Sequence, residues 1–181
     1  ESVLMHRSTA TLERLRALVP DPTRAHLVPF ATTWDDRELA LALGIPMYGC
    51  DPALVDLGTK SSGRRLFREE GVPHPAGRED LASEADLVEA LVGLRRERAG
   101  LKRVVIKLNH GVSGTGNANL DLSTLPAAGA GDERDALRRL LPAMVFEQQS
   151  LAYATFLEKF AEQRGIVEER IVAEEIRSPS V

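Results

Sequence analysis

Residues 103–122 read RVVIKLNHGVSGTGNANLDL, and the fold prediction begins from this stretch. The β-branched run 104–106 and the strand-like segment 118–122 predict two strands joined by a loop. The loop contains the small residues Gly111, Ser113, Gly114, Thr115 and Gly116. Glycine reaches positive φ without a Cβ clash, so such a loop can bend its N–H groups around phosphate oxygens. Lys107, at the end of the first strand, adds a positive charge for the same phosphates.

Two other interpretations of this stretch are considered. The Walker motif requires Gly-Lys-Ser/Thr at the start of a helix, and this loop joins two strands instead. An ordinary glycine hairpin, with Lys107 on a half-exposed strand, is an equally common pattern. The stretch alone does not distinguish that hairpin from a phosphate-binding loop.

The composition restricts the class of protein. The chain has 181 residues, enough for one ordinary domain or two small ones, with 43% hydrophobic and 28% charged residues as in globular proteins. A net charge of −4 argues against a nucleic-acid binder. Because Cys50 is the single cysteine, an internal disulfide is excluded, and we expect a reducing, cytoplasmic setting. No apolar run approaches about 18 residues, so no membrane partner is expected. The start at Glu1 leads us to expect a fragment.

The first quarter of the chain predicts an alternating α/β layer. We expect a helix over 9–19, a strand over 27–30, a second helix from Thr33 to Gly44 and a strand over 45–50. Cys50 is expected to face the core from that second strand.

Four further helices are predicted after residue 58. Their expected ranges are 59–70, 83–98, 132–144 and 150–164. Within the third range, Pro142 is expected to break the helix. In the first of them we expect Leu66 and Phe67 to point inward. Lys60 lies in its first turn, where the helix dipole disfavours a cation. A nearby anionic ligand would explain that position, and so would a side chain that points into water. A β-rich segment is expected over 166–177.

Three pieces of the sequence, taken in order, resemble a known superfamily. The first is Lys60 followed by the Gly-Val-Pro turn at Pro73, the second is Lys107 with the glycine loop, and the third is 167–171 followed by Glu175. Their order and spacing resemble the nucleotide-binding half of the ATP-grasp superfamily, from about residue 27 to the C-terminus. The runs PMYGCDP and IRSPSV are similar to a narrower group, the carboxylate–amine ligases related to the pheganomycin peptide ligase.

The resemblance implies a role for each matching residue. Lys60 and Lys107 would contact the phosphates of ATP, and residues 111–116 would form a mobile lid over them. The backbone of Glu168, Glu169, Arg170 and Ile171 would read the adenine edge, and Glu175 would bind the ribose hydroxyls. Without the resemblance, the acidic residues near Glu169 would be a solvated strand face. Ala173 departs from the glycine that the superfamily often has before the ribose acid.

The resemblance also implies a domain plan within the α/β class. Residues 1–56 would be part of a small parallel pre-ATP-grasp domain. Residues 57–165 would be the N-terminal ATP-grasp subdomain, an antiparallel sheet with helices. Residues 166–181 would be the adenine-binding linker strand and the start of a C-terminal subdomain that is largely absent.

The implied function is an ATP-dependent carboxylate–amine ligase, of peptide-ligase type, that acts through an acyl phosphate. Its partners would be ATP, Mg²⁺, a carboxylate and an amine, either small molecules or peptides, and the resemblance allows a homodimer. The magnesium ligands are expected beyond Val181, so no metal site and no complete catalytic set are expected here, and little turnover by this chain alone. Two alternatives stay open: a non-catalytic nucleotide-binding or scaffold domain, and an ATP-grasp enzyme of another substrate class, such as a carboxylase.

Overall fold

The computed structural model describes residues 8–111 and 114–173. The chain divides into two compact units, Glu1–Gly58 and Thr59–Val181. In the described residues, no helix has the length and apolar character needed to span a bilayer.

The helices of the first unit begin and end where local sequence signals predict. They are α1 (Thr9–Ala17), α2 (Trp34–Leu43) and the 3₁₀ segments Pro22–Arg24 and Pro52–Gly58. Thr33 and Asp36 form a reciprocal capping box at the start of α2, which satisfies N–H groups that the helix itself leaves unpaired. Gly44 ends α2 with a φ of +70°, a conformation that glycine adopts without strain.

The two strands predicted in the first unit are wrong. The structure has a single parallel bridge there, between Leu27 and Met47. Pro29 and Pro46 lie beside the bridge, and a proline has no N–H to donate to a ladder. The expected parallel layer is therefore reduced to one bridge. Cys50 is exposed and does not face the core, because no strand forms to direct it inward.

The second unit is an antiparallel sheet with four helices in its described part. The strands are β1 (Gly77–Leu81), β2 (Arg103–Leu108), β3 (Asn117–Asp121), β4 (Val145–Phe146) and β5 (Gly165–Glu169), in the order β1-β5-β2-β3-β4. The helices are α3 (Lys60–Glu69), α4 (Glu84–Glu97), α5 (Glu133–Leu140) and α6 (Tyr153–Gln163), and a 3₁₀ turn, Leu141–Ala143, follows α5. All four strand pairs are antiparallel. The mixed α/β class with an antiparallel sheet is confirmed.

The strand predictions differ in their outcome. The β2–β3 hairpin is confirmed, with Val105 opposite Asn119. The last strand, β5, ends at Glu169, earlier than the predicted end at residue 177, and residues 174–177 lie outside the described part. β1 and β4 were not predicted.

The sheet has one apolar face and one polar face. The apolar face carries Val104, Ile106, Ala118, Leu120 and Val167, which pack with α4 and α6 in the core. Strand alternation places Lys107, Asn117 and Glu168 on the opposite face. Helix α3 contacts β1 and β5 and covers part of that polar face.

This placement of α3 corrects the prediction that Leu66 and Phe67 point inward. Their side chains are 49% and 44% exposed, while Ser61, Ser62 and Arg64 are the buried residues of the helix. A helix that packs on a polar sheet face must bury hydrogen-bonding groups, so its apolar residues turn outward.

Candidate functional site

Lys60 lies at the root of the β2–β3 loop. Its ammonium donates to the Gly111 carbonyl at 2.9 Å and lies 3.4 Å from the Asn109 carbonyl. The side chain is partly buried and does not simply extend into water. The helix start and the loop are therefore joined by one cation.

Lys107 forms an ion pair with Glu168 across the β2–β5 ladder. The Lys107 side chain is 26% exposed and that of Glu168 is 13% exposed. Since Lys107 stands beside β3 and β5, its ammonium reaches the polar face near the same loop.

Lys107 influences the pKa of Lys60. Burial lowers the pKa of Lys60, the positive charge of Lys107 lowers it further, and the negative charge of Glu168 partly offsets both effects. Like charges that are brought together disfavour one another's protonated form. Lys60, Lys107 and Glu168 therefore share one local environment.

The three glycines of the loop are required for two different reasons. Gly114 and Gly116 have φ values of +80° and +83°, which strain any residue with a Cβ. At Gly111 a Cβ would lie only 2.2 Å from the Thr115 carbonyl oxygen. The loop thus turns back on itself tightly. Thr115 is exposed in it, and Ser113 lies outside the described residues.

Asn109 connects three elements at this site and was not predicted from the sequence. Its side-chain oxygen accepts from the Ser61 N–H at 3.0 Å and the Ser61 hydroxyl at 2.8 Å. Its amide nitrogen donates to the Gln163 carbonyl at 3.1 Å. These bonds fix the first turn of α3, and with it Lys60, against the end of β2. The only sequence feature that could have indicated this role is the position of Asn109, two residues after Lys107.

Arg64 reaches Glu168 from the other side. It donates to the Glu168 carboxylate and to the Pro75 carbonyl, each at 2.9 Å, and its Nε lies 3.5 Å from Glu79. Gly77 makes room for the guanidinium, because a Cβ there would lie 2.6 Å from Arg64 Nη2 and 2.5 Å from the Val167 carbonyl oxygen. Neither Arg64 nor Gly77 was predicted.

The other residues of the predicted adenine segment lie in different surroundings. Glu169 accepts from the Ala76 N–H at 2.9 Å, so it is not merely a solvated residue. Arg170 donates to the Asn119 side chain at 2.7 Å, and Ile171 is 61% exposed. Glu175 lies outside the described residues.

A large surface cleft of the second unit lies away from the lysines. It has a volume of about 720 Å³ and is bordered by 97–103, Ser123, Glu169, Arg170 and Val172. Lys60 and Lys107 do not line it.

Clusters of three or more metal-ligating side chains are absent from the described residues. Within 8–111 and 114–173, no group of three or more His, Cys, Asp or Glu side chains could hold a metal ion. We therefore assign no metal ligand in this part of the chain.

Comparison with known proteins identifies the superfamily. A family model described as IQCH-like, ATP-grasp matches residues 52–139, which include Lys60, Lys107 and the glycine loop. The chain belongs to the ATP-grasp superfamily. The IQ motif-containing protein H of Danio rerio is 33% identical over 123 residues, 67% of this ATP-grasp chain and 12% of that protein.

Two further proteins are similar. An L-propargylglycine–L-glutamate ligase of Streptantibioticus cattleyicolor is 28% identical over 165 residues, 88% of this chain and 34% of the ligase. The crystal structure of D-alanyl-alanine synthetase A of Vibrio cholerae aligns with a TM-score of 0.48 and 11% identity, over 82% of this chain and 38% of that one. The ATP-grasp chain thus spans 12% and 34% of the curated relatives it matches. The narrower resemblance to pheganomycin-type ligases stays a prediction.

Proposed function

We propose that this ATP-grasp chain binds ATP on the polar face of its sheet, and that the whole protein is a ligase joining a carboxylate to an amine. The strongest support is the shared environment of Lys60, Lys107 and Gly111. The Lys60 ammonium donates to the Gly111 carbonyl, and the positive charge of Lys107 lowers the pKa of Lys60. Two ammonium groups beside a glycine loop suit a triphosphate. The similarity to a named amino-acid ligase supports the reaction class.

Each part of the site has a proposed task. The ammonium groups of Lys60 and Lys107 hold the phosphates, and the loop from Gly111 to Gly116 covers them. The N–H groups of Glu169 and Arg170 already donate to the Ala76 and Arg103 carbonyls, so within the segment 168–171 the adenine edge is assigned to the backbone at Ile171, and Glu175 binds the ribose. ATP, when bound, supplies the phosphoryl group that converts a carboxylate into an acyl phosphate open to amine attack. The substrates are assigned by class only, a carboxylate and an amine.

A second candidate function is a nucleotide-binding domain without catalysis. It is favoured by the relative with the higher identity, IQ motif-containing protein H, whose name states no reaction. Both candidates require ATP binding, and amide formation by the whole protein separates them. A scaffold that does not use ATP would show neither.

Calorimetric titration with ATP tests the phosphate site. We expect the Lys107→Ala variant to bind ATP about tenfold more weakly or worse, because a hydrogen bond to a charged group contributes about 1.5–3 kcal/mol. Lys102→Ala is the matched control, since Lys102 is exposed and precedes β2 outside the site. Equal affinities for the wild type and Lys107→Ala would refute the proposed role.

A further inference from the structure

We propose that Arg64 is a positioning residue that keeps Glu168 ionised when Lys107 leaves it for a nucleotide phosphate. This inference rests on the proposed ATP site and concerns how that site is prepared for its ligand. It assigns a purpose to a buried arginine whose side chain contacts Glu168, Pro75 and Glu79.

The Glu168 carboxylate is shared between two cations. One of its oxygens is paired with Lys107 and the other accepts from Arg64 at 2.9 Å. The charged groups near this carboxylate include Lys107 on β2, Arg64 on α3 and Lys60 at the start of α3, and Glu79 on β1 lies beside Arg64. Lys107 is therefore paired before any phosphate arrives.

Phosphate binding requires Lys107 to exchange its partner. If the ammonium turns to an anion, Glu168 loses one of its two cations while its side chain is only 13% exposed. A carboxylate left largely buried without a cation binds a proton instead. Arg64 prevents this, because its bond to the second carboxylate oxygen does not involve Lys107.

Neighbouring groups fix the position of the Arg64 guanidinium beside Glu168. Its side chain is 6% exposed and donates to the Pro75 carbonyl, while Glu79 lies beside its Nε. Glu79 is also paired with Arg68, whose side chain is 56% exposed. Arg64 is thus fixed from three sides, whereas Lys107 is the more exposed partner and the one able to move.

Proton uptake on ATP binding distinguishes this role from simple structural support. The measurement is calorimetry in two buffers of different ionisation enthalpy, with the wild type and Arg64→Met. We expect Arg64→Met to take up as much as about one additional proton per ATP bound, and to bind about tenfold more weakly at alkaline pH with recovery as the pH falls. The conservative variant Arg64→Lys should show no additional uptake.

Two further variants make the test specific. Arg68→Met removes a cation from the same ion chain without touching Glu168, so its proton uptake should equal that of the wild type. In Arg64→Met/Glu168→Gln the additional uptake should disappear, because the titrating carboxylate is gone. Additional uptake in Arg68→Met, or its persistence in the double variant, would overturn the inference.

The outcome remains informative if Arg64→Met does not fold. Glu168→Gln alone, with Arg64 intact, should bind ATP at least as tightly as the wild type, since Lys107 no longer has to leave a carboxylate. Binding tenfold weaker in that variant would contradict the inference. If the wild type fails to bind ATP, the proposed function fails. If the wild type binds and Arg64→Met matches it in affinity and proton uptake, only the role of Arg64 fails.

Discussion

Lys60 is a cation at a helix N-terminus, and its side chain is also partly buried. Both disfavour its protonated form, and the nearby charge of Lys107 adds to them. Two carbonyl groups, of Asn109 and Gly111, accept from the ammonium and stabilise its position. An anion beside Lys60 would relieve this arrangement, which is the physical reason to place phosphates there.

The lowered pKa of Lys60 predicts a pH dependence of ATP binding. Bound phosphate favours the protonated amine, so ATP binding takes up a proton in the range between the lowered pKa and the ordinary value of 10.5. ATP affinity should therefore fall as the pH rises from neutrality towards the ordinary pKa of 10.5. Lys60→Arg, which keeps its charge, should flatten the profile, and Lys102→Arg should leave it as in the wild type. A wild-type profile that is flat over this range would contradict the prediction.

Long-range partners explain which site residues could be predicted. Lys60, Lys107 and the glycine loop follow from motifs within short segments. Arg64 acquires its task only from Glu168, 104 positions away, and Asn109 acquires its own from Ser61, 48 positions away. Neither pairing has a local signature in the sequence.

At the scale of elements, caps and periodicity predicted the helices well. Ser83, whose side chain accepts from the Asp86 N–H, begins α4, and the buried Phe156 and Phe160 lie on one face of α6. β1 has the sequence GREDL, with too few apolar residues to indicate a strand. It forms because Gly77 and Arg78 pair with β5. The buried face of α3 was mispredicted because an apolar core was assumed where the sheet is polar.

The absence of a side chain at Gly77 lets β1 and α3 pack closely beside Glu168, so we expect a substitution there to lower stability. In Gly77→Ala the new methyl group would press on Arg64 Nη2 and the Val167 carbonyl oxygen. Overpacking of this kind costs about 1–3 kcal/mol of unfolding free energy, and ATP binding should weaken because Arg64 is displaced.

Urea unfolding and ATP titration measure both effects. Gly63→Ala is the control, since Gly63 lies within α3 and a Cβ there meets nothing within 4 Å. That change should stabilise the fold by about 0.5–1 kcal/mol. Equal stability of Gly77→Ala and the wild type would show that the strand can shift to accept the methyl group.

For the whole molecule, the charge distribution determines how ATP is attracted. The chain carries a net charge of −4, yet Lys60, Lys107 and Arg64 converge on one face with Glu168. A net negative protein repels ATP at long range, so affinity has to come from contacts inside the site. Those contacts are close, and salt screens close, partly buried interactions less than exposed ones.

If ATP binds at Lys60 and Lys107, we expect protection from amide hydrogen exchange to be confined to the segments around these lysines. Hydrogen exchange reports opening of individual segments, and a ligand that binds only the folded form slows that opening. We expect ATP to slow amide exchange in the first turn of α3, at the end of β2 and in β5. Exchange in α5 should change little, because it lies on the apolar side of the sheet.

The same experiment also tests the alternative that ATP binds in the 720 Å³ cleft. If ATP instead occupied this cleft, protection would be strongest in the turn from Arg98 to Lys102, which borders it, and weak at the start of α3. Lys107→Ala supplies the control, since it should abolish protection at the lysine site and leave any protection of the turn intact. Protection of the turn that survives in Lys107→Ala would move the nucleotide away from Lys60 and Lys107, and the two lysines would then need another anion to account for their proximity.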